Sequence, residues 1–329
     1  MKKSFFKLPL LLVLFYWLFN IVFVVTYSVR FDEYFFISSD MTTYQISRKF
    51  IKRILLNFFL QLPSSLVLFI TSVLILNKYA VNQINQKNIV NSLFIAILIT
   101  LGDIVGRLYC YTYIYECIQS GRQYLNPNIY FFLPNYITNF LKIAISYFFI
   151  ILLTYLGIKL FNKSYTHNDN ALTQKESQQL HLGLFIVLYN CYFLTTLFAL
   201  IFLDKDMYYS FKNIIINIVG LTVFLSIVNL LGYFLLRRCF TGVTETLALI
   251  RLIFSSMGIF ILNCLLLSGL IMFNVLLARY LNYLSKISEL KIVIIWFVMA
   301  VILFILSCVL VRIAVKLLFG KMNKNYQNI

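Results

Sequence analysis

The chain has 329 residues, 61% of them hydrophobic and 12% charged, and its mean hydropathy is +0.88. Soluble domains run nearer to about 45–50% apolar and about 25% charged residues, so most of this chain must have lipid as its solvent. That excludes a soluble enzyme, a cytosolic binding module, a disordered tail and a disulfide scaffold. The net charge of +17 does not indicate a nucleic-acid partner. The basic residues are scattered along the whole chain in ones and twos, whereas a nucleic-acid surface needs them clustered on one soluble face. They fit better as anchors at the ends of membrane spans, facing anionic headgroups.

Apolar stretches of about 20 residues mark spanning helices, and about eight are predicted. In chain order they cover residues 8–27, 54–76, 89–108, 140–160, 182–203, 214–236, 247–277 and 292–318. The expected fold is therefore an all-α polytopic integral membrane bundle, a single transmembrane domain over 1–329 with short loops. The first stretch has a charged start at Lys2, Lys3 and Lys7. It lacks a small-x-small cleavage site, so it reads as an uncleaved span rather than a signal peptide.

Two connections are longer than a turn. Residues 30–53 end in Ile46-Ser-Arg-Lys-Phe-Ile-Lys-Arg, where Arg48, Lys49, Lys52 and Arg53 alternate with apolar residues. This reads as an amphipathic helix in contact with interfacial lipid. Residues 109–139 carry seven tyrosines together with Gly121, Pro127 and Pro134, which suggests a surface-hugging, partly irregular connection. Pro63 predicts a kink in the second span, with Ser64 and Ser65 beside it to satisfy the freed carbonyl.

The densest local pattern is Gly102-Asp103-Ile-Val-Gly106-Arg107 in the third span. Gly102 and Gly106 share a helix face and admit close packing, within the chain or by a partner protein. Asp103 and Arg107 are also one turn apart and can pair. Each intramembrane charge costs about 2.5–3.5 kcal/mol on the insertion scale. Asp103, Arg107, Lys142 and Arg251 are therefore the candidate binding residues, for an ion or an anionic headgroup. Asp103 is the only carboxylate inside a predicted span, which argues against a multi-carboxylate proton or cation path.

The sequence carries no catalytic motif. His167 and His181 fall in the polar stretch 162–181 and read as solvated loop residues, with no cysteine or carboxylate at metal-ligand spacing. No cofactor or metal is expected, and the six cysteines contain no Cys-x-x-Cys pair. Residues Thr246–Ser255, with Arg251, are similar to the arginine helix of ATP synthase subunit a over under a quarter of the chain. Ser255 and Trp296 stand where that family has asparagine and glutamine, so its function does not carry over.

Three readings remain. The first is a transport or flippase-type protein for an anionic or lipid-linked solute, and the second a membrane-embedded enzyme of envelope or glycolipid assembly. The third is a non-catalytic subunit of a membrane complex. A slight Lys/Arg bias, with an even number of spans, places both termini on the cytoplasmic side of a cell, inner or organelle membrane. The expected partners are membrane lipids, through their anionic headgroups.

Overall fold

The computed structural model describes residues 4–31, 41–121, 133–166 and 173–201, with shorter helical stretches and single positions between 220 and 316. The described residues are helical apart from short connections, and none is in a strand. The chain divides into two compact units, Met1–Leu231 and Gly232–Ile329.

Among the described residues the first unit contains five long helices: α1 (Ser4–Phe31), α2 (Thr43–Lys78), α3 (Gln86–Gly121), α4 (Leu133–Leu160) and α5 (Gln174–Ile201). Four segments among the described residues are long and apolar enough to cross a membrane: Ser4–Phe23, Gln61–Lys78, Gln86–Gly106 and Ile143–Leu160. Large apolar side chains face outward along them, such as Leu18 on α1 and Leu101 and Val105 on α3. Asn20, Ser72, Thr100, Asp103, Ser146 and Thr154 are buried between them. Apolar outside and polar inside is the pattern of a bundle whose solvent is lipid.

Helix boundaries differ from the predicted spans for local reasons. Helix α2 is capped by Thr42, whose hydroxyl accepts the Gln45 N–H at 3.4 Å while the Gln45 side chain accepts the Thr42 N–H at 3.0 Å. This reciprocal capping starts the helix before the basic segment. Arg48, Lys49, Lys52 and Arg53 therefore lie on the same uninterrupted helix as the second span. Pro63 does not end α2, and the Ser65 hydroxyl donates to the Gln61 carbonyl at 2.8 Å. Helix α3 continues through the tyrosine-rich sequence to Gly121, so residues 109–121 are regular helix. At 36 residues each, α2 and α3 are about 54 Å long, well beyond a hydrocarbon core of about 30 Å.

Helix α2 ends where Ala80 adopts φ 56°. The Ala80 N–H donates to the Asn77 carbonyl and the Val81 N–H to the Leu76 carbonyl, the double closure of a Schellman motif with alanine in the glycine position. A short connection then leads to α3. Consecutive helices do not always pack together: α1 packs on α2 and α3, and α4 packs on α3, α2 and α5, while α5 also packs on α2. The first four helices thus make a ring in the order α1, α2, α4, α3, with α2 and α3 at opposite corners.

Helices consecutive in the chain run antiparallel, so α1 and α3 start, and α2 and α4 end, at one end of the unit. Asn77 at the end of α2 donates to the Phe5 carbonyl at the start of α1. Asn88 at the start of α3 binds the backbone of Thr166, just beyond α4. Lys7, Lys78, Lys87, Lys159, Lys163 and Lys175 consequently gather at one end of the unit.

In the second unit the longest described run is the apolar helix Leu252–Leu262, where Ser255 and Ser256 bond back to the Leu252 and Ile253 carbonyls. Residues 202–219 and most of 263–329 lie outside the described residues, as does much of 221–251.

Candidate functional site

Counting rise along each helix shows why four residues meet. Measured from the lysine-rich end, at 1.5 Å per residue, Asp103 on α3 and Gln61 on α2 are both about 25 Å deep. Ser146 on α4 is about 21 Å deep and Tyr16 on α1 about 18 Å, and a tyrosine side chain spans the remaining offset. One polar residue from each ring helix therefore stands at nearly the same level.

The Ser146 hydroxyl donates to Asp103 Oδ1 at 2.5 Å, and the Tyr16 hydroxyl lies 3.2 Å from Asp103 Oδ2 and 3.0 Å from Gln61 Oε1. A phenol has one proton, so it serves one of these acceptors at a time. With the Gln61 amide turned to offer its NH2, the chain Gln61 to Tyr16 to Asp103 uses each group once. Asp103 and Tyr16 are wholly buried, Gln61 is 4% exposed and Ser146 6%.

A second layer steadies this cluster. Trp17 Nε1 donates to the Ser65 hydroxyl, which in turn donates to the Gln61 carbonyl. The Trp17 ring packs on Phe58 with centroids 4.5 Å apart. Asn20 is buried and donates to the Tyr16 carbonyl at 2.9 Å.

The glycines flanking Asp103 set the distance between α3 and α4. A Cβ on Gly102 would collide with the Leu153 side chain, and one on Gly106 would stand 2.7 Å from Phe149 Cδ2. Leu153 and Phe149 thus fill the glycine face from within the chain, and this close approach lets Ser146 reach the carboxylate.

Arg107 stands one turn beyond Asp103 on α3 and Lys142 one turn before Ser146 on α4, but both side chains lie outside the described residues. Arg251 lies outside them altogether. Among the described residues the structure brings Asp103 together with Tyr16, Gln61 and Ser146. The Lys–Arg group at the start of α2 is far along the helix from this cluster. Arg48 is exposed there, and burial followed by the nearby Arg48 charge lowers the Lys52 pKa.

One expectation is overturned. His181 is not a solvated loop residue, because α5 starts at Gln174 and buries it completely. Glu176 reaches back to the Thr173 N–H and hydroxyl, while the Thr173 hydroxyl accepts the Glu176 N–H. This cap starts the helix eight residues before the apolar stretch. His181 Nδ1 lies 2.8 Å from the Ser177 carbonyl, and Nε2 is buried without a partner. Burial holds its pKa below the ordinary value; the Ser177 carbonyl opposes that shift and the Lys78 charge adds to it. His167 lies outside the described residues.

Among the described residues no group of three His, Cys, Asp or Glu side chains is placed to hold a metal ion. No protein-family model matches this sequence, and neither the curated proteins nor the solved structures show a significant match to it, so the cluster itself carries the functional reading.

Proposed function

We propose that this chain is a multi-pass membrane protein of about eight spans that transports an anionic or lipid-linked solute, with the Asp103 cluster as its gate. The stretches 182–203, 214–236, 247–277 and 292–318 supply the remaining spans. The gathering of six lysines at one end of the first unit supports placing that end, with both termini, on the cytoplasmic side.

One observation carries the transport reading: an ionisable group stands where four helices meet. A purely structural tie needs only an amide or hydroxyl, at lower cost than a carboxylate. A carboxylate differs in that protonation or pairing changes its demand for donors, and here that demand is met jointly by α1 and α4. Separating these helices opens the ring at the level of Asp103, and Arg107 and Lys142 are the basic residues proposed to meet the solute there.

A second reading has its own support. The cluster is sealed and its hydroxyls are satisfied, as expected of a fixed pin in a non-catalytic membrane subunit. Cysteine accessibility separates the two. In a cysteine-free background, Ser146→Cys in native membranes is expected to react slowly with a water-soluble maleimide, and faster with Asp103→Asn added. Complete protection in both backgrounds, with Lys163→Cys labelled as a control, would refute the gate and leave the pin.

A further inference from the structure

The lysine-rich end of the first unit holds a cleft that the gate reading does not use. Its volume is about 430 Å3, within the range of small-ligand sites, roughly 300–1,000 Å3. It lies between the first turns of α3 and the turn 161–166 that follows α4, and Lys87, Asn91, Lys163, Ser164 and Thr166 line it. It is about 18 Å from the Asp103 level, counted along α3 from Asn91.

The cleft is held in shape by buried amides. Asn88 is wholly buried; its Oδ1 accepts the Thr166 N–H at 2.9 Å and its Nδ2 donates to the Thr166 carbonyl at 3.3 Å. Asn91, 8% exposed, donates to the Ser164 hydroxyl at 2.9 Å. These bonds fasten the 161–166 turn to α3, and in doing so they hold Lys163 on the same cleft as Lys87. Both lysines are exposed, and among the described residues no carboxylate lines the cleft. Two like charges fixed on one concavity repel, and a bound anion removes that repulsion.

The wall leading from the cleft into the bilayer is apolar. Val90 lines the cleft itself, and below it Phe94, Leu98 and Leu101 follow down the exposed side of α3. Phe94 stacks with Phe161 at the base of the turn, with centroids 6.3 Å apart. A headgroup in the cleft would therefore leave its acyl chains on this stripe.

We propose that the cleft binds the phosphate of a membrane lipid, with Lys87 and Lys163 as counter-charges, Thr166 as a hydroxyl donor, and the Val90–Phe94–Leu98 stripe under the acyl chains. The site needs only the membrane placement of the first unit and is independent of the gate at Asp103.

The test uses the full chain in neutral detergent, titrated with short-chain phosphatidic acid while the thermal unfolding midpoint is followed. The midpoint is expected to rise saturably, more than with phosphatidylcholine of the same chains or with inorganic phosphate. Lys87→Gln with Lys163→Gln should weaken the apparent affinity roughly thirtyfold, at about fivefold per lysine. Asn91→Ala, which leaves every charge in place, should also weaken it, because the turn is freed. Lys7→Gln with Lys78→Gln, at the same end but outside the cleft, should leave it within about twofold. Three results would overturn the site: no saturable rise, unchanged affinity in the cleft variant, or an equal loss in the Lys7/Lys78 variant. Inorganic phosphate binding as tightly as phosphatidic acid would overturn the lipid assignment and leave a soluble phosphate as the occupant.

Discussion

Removing the carboxylate of Asp103 is the sharpest perturbation of the first unit. In Asp103→Ala the Ser146 and Tyr16 hydroxyls both lose an acceptor inside the ring. Tyr16 can donate to Gln61 once that amide turns its Oε1 back, 3.0 Å away, so its loss is partial, whereas Ser146 loses a 2.5 Å bond. Interhelical hydrogen bonds in membranes average about 0.6 kcal/mol and reach about 1.7. Two of unequal strength give a destabilisation of about 1–3 kcal/mol. The insertion cost of Asp103 does not offset this, because the separated helices still hold the carboxylate in lipid. Asp103→Asn keeps one acceptor oxygen and should cost about half as much. Reversible unfolding of the purified chain by increasing SDS in mixed micelles would measure both variants. A cycle with Ser146→Ala should return a coupling of about 0.6–1.7 kcal/mol. If Asp103→Ala lies within about 0.5 kcal/mol of the parent, or costs as much in the Ser146→Ala background as in the parent, the four-helix tie is refuted.

Three further outcomes are expected. Gly106→Leu forces a side chain into the Phe149 ring and should destabilise the chain by about 1–3 kcal/mol, whereas Gly102→Ala should cost less because the Leu153 terminus can turn aside; SDS unfolding ranks the two. Ala80→Gly relieves a positive φ of 56° and should be neutral to stabilising by up to about 1 kcal/mol, read as a higher unfolding midpoint. Tyr165 is 4% exposed, and burial raises its pKa to about 12, against a smaller lowering by the Ser92 hydroxyl beside it. Since the folded value is raised, Tyr165 favours folding below pH about 10 and that contribution is lost as pH climbs towards 12, by up to about 2–3 kcal/mol. Relative to Tyr165→Phe, stability should therefore fall across that window, and parallel curves would refute the burial argument.

Much of the first unit was legible in the sequence because lipid imposes a strong signal. Gly102 and Gly106 stood out as small residues one turn apart, and Asp103 because a charge is costly in a span. Gln61 is a polar residue in the predicted second span, but nothing local in the sequence joins it to Tyr16 or Ser146. A tyrosine reads equally well as an interfacial anchor, and a serine in a span commonly bonds to its own helix. Equal depth, counted from the connections, is the signal that could have joined them. The helix starts at Thr43 and Gln174 depend on caps at Thr42 and Thr173, short-range features that an apolar-window reading passes over. This is also why His181 was misplaced.

The sequence by itself determined the solvent and the secondary structure: 61% hydrophobic residues in long runs must be helical, because only helices satisfy the backbone of such runs in hydrocarbon. It also singled out Asp103 as the expensive group. The tertiary structure alone decided what that group touches. Consecutive helices need not be neighbours, and here α2 and α3 occupy opposite corners of the ring. The carboxylate on α3 is consequently met by hydroxyls from α1 and α4, while the glycine face beside it is filled by Leu153 and Phe149.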